Sequence, residues 1–149
     1  MTSSRPTCMP FHFVEGITTA DIAFEASGVT LHELFESAAN ALEEVQVDRS
    51  TVGVSKKHTV SLSAQTVEEL LFSFLEELVY IKDAEQLLFS KCAVNVQDVN
   101  GHFALKAICA GERLHEGLQL RTDIKAVTLH HFCVEKTISG WKARVVIDI

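Results

Sequence analysis

Apolar residues recur along this chain in two rhythms. From Thr30 onward, Leu31, Leu34, Phe35, Ala38, Ala39, Leu42 and Val45 fall at three- and four-residue steps, the period that puts one face of an α-helix against a core. Thr30 followed three residues later by Glu33 is a capping-box start, in which each side chain can serve an amide the first turn leaves without a partner. The same syntax returns at Thr66 and Glu69, followed by Val67, Leu70, Leu71, Phe74, Leu75, Leu78 and Val79. Both helices therefore open with T-h-x-E-L-h, where h is apolar: TLHELF and TVEELL. Duplication of a strand–helix unit and convergence on a good cap both account for so short a match.

The second rhythm is alternation, the signature of half-buried strands. Phe11 to Glu15 and Ile22 to Ala26 read as strands flanking a turn-like GITTAD segment. His58 to Ala64 puts Val60, Leu62 and Ala64 on one face and Thr59, Ser61 and Ser63 on the other. Leu87–Val99 and His102–Ala110 are joined by Asn100-Gly101, a two-residue hairpin signal. Ile124–Lys136 and Trp141–Ile149 read as another hairpin, turning at Ser139-Gly140. Two helices with seven or eight strands joined by short turns predict an α+β fold with largely antiparallel sheets. The 149 residues suit a single compact domain over residues 11–149. Residues 1–10, which hold both prolines, are expected to form a flexible leader.

Composition narrows the function classes. Thirteen Lys and Arg against twenty Asp and Glu give a net charge of −7, which argues against strong direct nucleic-acid binding, since that affinity comes from cations on phosphates. The apolar stretch around Leu70–Ile81 carries Glu76 and Glu77 and is too short to span a membrane. Four cysteines at wide spacings, without a CxxC pair, do not make a zinc site. Cys92, Cys109 and Cys133 lie in strand-like runs and are expected to be buried free thiols. No secretory signal pattern opens the chain, and the expected compartment is the reducing cytoplasm.

The chain contains no GxSxG, GxGxxG, Walker loop or HExxH. Adjacent His130 and His131 in a strand should point to opposite faces and so not share an ion. Three polar residues stand in unusual places. Asp21 precedes the apolar run Ile22-Ala23-Phe24, and Lys125 interrupts an apolar strand. Asp148 follows Val145-Val146-Ile147 and is succeeded only by Ile149. Asp21, Asp148 and the carboxylate of Ile149 would form an oxygen-only pocket suited to Ca²⁺, Mg²⁺ or Mn²⁺. A turn aspartate, an edge-protecting lysine and a solvated terminal acid account for the same residues without any site.

At these residues the chain resembles the archease family, from about Phe11 to Ile149. The resemblance is carried by Thr19-Ala20-Asp21-Ile22, TLHELFESAANAL, LLFSFLEELVY, Leu87-Leu88-Phe89, Lys125-Ala126-Val127-Thr128-Leu129-His130 and the closing Trp141 to Ile149. It implies a cytoplasmic, non-catalytic activator of an RtcB-type RNA ligase, one that promotes the ligase's guanylylation and repeated turnover in tRNA splicing or RNA repair. It further implies a divalent-cation site, Ca²⁺ first, at Asp21, Asp148 and Ile149, with Lys125 needed for ligase activation. A homo-oligomer is compatible with it. The family usually has His shortly before Ala-Asp-Ile, where this chain has Thr18-Thr19. A stand-alone metal-dependent hydrolase of small phosphate compounds and a general chaperone are the alternative functions.

Overall fold

The computed structural model describes residues 10–14 and 21–149. The strands are β1 (Phe11–Val14), β2 (Asp21–Gly28), β3 (Lys56–Ala64), β4 (Leu87–Val99), β5 (His102–Arg113), β6 (Ala126–Thr137) and β7 (Gly140–Asp148); the helices are α1 (Leu31–Gln46) and α2 (Val67–Glu85). Every described strand pair is antiparallel. One sheet runs β1-β2-β7-β6, and the other β3-β5-β4. The leader expected over residues 1–10 lies outside the described residues except for Pro10. Most of the GITTAD segment and Thr18 also lie outside them.

Both helix starts obey the caps written in the sequence. The Glu33 and Glu69 amides donate to Thr30 Oγ1 (3.2 Å) and Thr66 Oγ1 (3.1 Å). The return bonds differ: Glu33 Oε1 accepts from the Val29 amide at 2.8 Å, whereas Glu69 Oε1 accepts from the Thr66 hydroxyl at 3.2 Å. Helix α2 runs past the predicted end at Val79, because Ile81 and Lys82 continue its buried face. It stops at Gln86, whose left-handed backbone closes the helix by donating to the Lys82 carbonyl.

Each helix packs against one sheet on either side, α1 on β2 and β4, α2 on β6 and β3. The helices thus tie the sheets together around one core that includes Phe24, Phe35, Phe74 and Phe89. Burying a side chain of this kind contributes roughly 1.5–3 kcal/mol. Helix α1 also covers the outer edge of β4, where Val96, Val94 and Phe89 donate their amides to His32 Nδ1 (2.9 Å), Glu36 Oε2 (2.9 Å) and Glu43 Oε1 (3.2 Å). Side chains of one helix here take the place of a fourth strand.

Several expectations are corrected. Cys92 and Cys109 are not free thiols: they face each other across β4 and β5 and are disulfide-bonded. Cys133 is free but exposed. His130 and His131 do not diverge. The β6–β7 register jumps between Thr128 and Cys133, and in this bulge His131 takes a left-handed φ of 55°, which brings the two rings to 4.1 Å. The last hairpin turns at Ile138-Ser139, one residue early, because Gly140 already pairs with Thr137. Gly140 (φ 154°) lies so close to Gly28 and Val29 that an added Cβ would come within 2.8 Å of Val29 Cα.

Candidate functional site

Strand register brings the unusual polar residues together. Asp21, the first residue of β2, lies directly opposite Asp148, the last of β7, and Asp148 in turn lies opposite Ala126, the first of β6. Directly opposed residues share a face of the sheet, with Cβ atoms about 4.5–5.5 Å apart. Lys125 is not inside the strand, as the sequence suggests, but immediately before it, and its amide donates to the Asp148 carbonyl at 2.9 Å. One sheet end therefore presents two neighbouring aspartates, with the Lys125 amide bonded to the main-chain carbonyl of Asp148.

The floor beneath this end is largely apolar and buried. Two residues along, on the same face, come Ala23, Val146 and Thr128; Ala23 and Val146 are buried, and Thr128 Oγ1 donates to the Val146 carbonyl at 3.0 Å. Ile149 packs its side chain on the main core, which holds its main chain beside Asp148. Asp21 and Asp148 are half-buried, and Lys125 is exposed.

Two like charges directly opposite each other are mutually destabilising, so a nearby cation would relieve this pair. All the candidate donors are oxygens, the chemistry of a hard divalent ion rather than of zinc. Among the described residues no three His, Cys, Asp or Glu side chains gather as a metal-holding group; the candidate set has only two side-chain carboxylates and draws its further oxygens from the main chain at Ile149. A groove of about 790 Å³ runs over the outer face of β3-β5-β4, and a pocket of about 180 Å³ is bordered by Gln46, Lys82 and Asp123, two residues before Lys125.

Two buried charged residues escaped the sequence reading. Glu43 accepts from the Phe89 amide, and burial pushes its carboxyl up to about 8, against the opposing pull of that amide, Arg49, Gln46 and Lys82. Lys82 is only 6% exposed. Its burial works against the charge, but hydrogen bonds and attraction from Asp123 and Asp83 outweigh it and raise the ammonium above the ordinary lysine range. The signal for Lys82 was its spacing from Leu71, Leu75 and Leu78, which puts it on the buried face of α2.

Residues 11–149 match the model of the Archease protein family (MTH1598/TM1083). The chain belongs to the archease family. It is 40% identical over 133 residues to the archease of Methanosarcina acetivorans, covering 88% of this chain and 91% of that protein. With the archease of Archaeoglobus fulgidus it shares 38% identity over 141 residues, 95% of this chain and all of that one. The solution structure of protein 1598 from Methanobacterium thermoautotrophicum superposes with a TM-score of 0.85 at 35% identity, covering 95% of this chain and 100% of that chain. The archease fold is thus present here as a single α+β domain. No described helix is long and apolar enough to cross a membrane.

Proposed function

We propose that this archease-family chain acts in the cytoplasm as a non-catalytic activator of an RtcB-type RNA ligase, promoting its guanylylation and repeated turnover in tRNA splicing or RNA repair. The observation that carries the reading is the cross-strand opposition of Asp21 and Asp148, with Lys125 bonded through its amide to Asp148, at one end of the sheet. In this reading Asp21, Asp148 and the carboxylate of Ile149 hold a divalent cation, Ca²⁺ first and Mg²⁺ or Mn²⁺ as alternatives. The donor set fits such an ion by its hard oxygens and by the repulsion an ion would relieve.

A bound cation supplies positive charge that can offset the phosphate charge of a nucleotidyl transfer. The chain's own residues do the rest. Asp21 and Asp148 are half-buried at the sheet end, where a partner's surface can reach them. Lys125 presents its exposed ammonium to that partner, and its backbone is held by the Asp148 carbonyl. The ligase is activated to the extent that this surface binds its guanylylation-competent state more tightly than its resting state.

The test is RNA joining by a cognate ligase held far below its substrate concentration. Addition of this protein should carry joining beyond one round per ligase molecule. Joining confined to one round with the protein present would reject the reading.

A further inference from the structure

Lys125 does not stand on its strand alone. The two residues before it, Asp123 and Ile124, are gripped from α2 by Lys82, whose Nζ donates to Asp123 Oδ1 at 2.6 Å and to the Ile124 carbonyl at 2.8 Å. The same ammonium pairs with Asp83 Oδ1 at 2.6 Å. Three acceptors use its three N–H donors. Ile124 itself is fully buried. The main chain entering Lys125 is therefore pinned on both sides, by Lys82 before it and by the Asp148 carbonyl at its own amide.

We propose that Lys82 is a positioning residue of the activation site: its buried ammonium clamps Asp123 and Ile124 and so fixes the place from which Lys125 reaches the partner. This rests on the reading of Lys125 as an activating residue. A lysine this buried is costly unless its charge is paired and its hydrogen bonds are made. If stability alone set this position, an apolar residue continuing the Leu71-Leu75-Leu78 face would serve it. What lysine adds is a directed bond to one backbone carbonyl, one residue before Lys125. Asp123 is largely exposed, so its part is to hold the ammonium end and not to fill space.

Two readouts separate this inference from the one beneath it. Amide hydrogen exchange on the protein alone should show Lys125 exchanging about tenfold faster in Lys82→Met than in wild type, while core amides such as Leu42 and Phe74 keep their rates, because the loss is local rather than global. In guanylylation of a cognate ligase, Lys82→Met should lose stimulation to the level of Lys125→Ala. Asp123→Asn, which leaves the buried lysine in place, should move both readouts in the same direction by less, and decides the matter if Lys82→Met does not fold. Unchanged exchange at Lys125 in the folded variants, or full stimulation by a folded Lys82→Met, overturns the clamp. Absence of stimulation by wild type would instead strike the ligase reading, with the exchange rates still deciding whether Lys82 positions Lys125.

Discussion

Asp148 faces Asp21 across the β2–β7 pair in exact cross-strand register, so two carboxylates that lie 127 positions apart in the chain share one end of one sheet. This opposition has a measurable consequence. An opposed like-charge pair costs roughly 0.2–1 kcal/mol. In the presence of a chelator, Asp148→Asn should therefore unfold at a urea midpoint equal to or above that of wild type. With Ca²⁺ at a hundred times its dissociation constant, wild type should gain about 2.7 kcal/mol and the variant almost none. Equal stabilisation of both proteins by Ca²⁺ would remove Asp148 from the cation site.

Glu43 gives the fold a pH dependence of known sign. Its folded carboxyl is raised from the ordinary 4.5 to about 8, chiefly by burial, so between those values the folded state binds a proton that the unfolded state lacks. Its contribution is fully present below about pH 4.5 and is lost as pH rises through about 8, with a slope on the order of 1 kcal/mol per pH unit. Glu43→Gln keeps an oxygen for the Phe89 amide but does not titrate. The stability difference between wild type and Glu43→Gln, followed by urea unfolding from pH 5 to pH 8, should move steadily in favour of the variant. A difference independent of pH would show that the carboxyl does not titrate in that window.

The outer edge of β4 depends on side chains from α1. Glu36→Ala leaves the Val94 amide without its acceptor. The expected loss is about 1–3 kcal/mol, read as a lower urea midpoint with unchanged denaturant slope. His32→Ala should act in the same direction through Val96. A midpoint unaffected by both changes would mean that water serves this edge equally well.

What could be read from the sequence follows the range of the interactions. Thr30, Thr66 and Asn100-Gly101 act within a few residues, and the structure uses all three; Asn100 and Gly101 take the positive φ values, 53° and 90°, that a tight hairpin needs. The alternation of Val60, Leu62 and Ala64 likewise identifies β3. Asp21 and Asp148 stand out singly and their chemistry suggests a shared oxygen pocket, but local pattern cannot express the register between strands so far apart that sets them opposite each other. Lys82 is hidden because YIKDAE looks like a solvated helix end, and two of its three acceptors, Asp123 and the Ile124 carbonyl, lie 41 and 42 residues away. The bulge at Leu129–Phe132 defeats alternation altogether: a strand read as regular puts His130 and His131 on opposite faces, whereas the register jump sets their rings side by side. Cys92 and Cys109 show the converse limit. Both are core residues, as their apolar runs suggest, but their facing positions depend on the hairpin register set by Asn100-Gly101.

Everything proposed for the sheet end bearing Asp148 and Lys125 turns on its activating a ligase. It is tested most directly by the GTP-dependent guanylylation rate of a cognate RtcB-type ligase, measured without this protein, with wild type, and with folded Asp148→Ala or Lys125→Ala. Wild type should stimulate the rate, and each variant should lose that stimulation by about tenfold or more, equivalent to at least about 1.4 kcal/mol of activation free energy. Stimulation by both variants equal to that of wild type, or none by wild type, would contradict it.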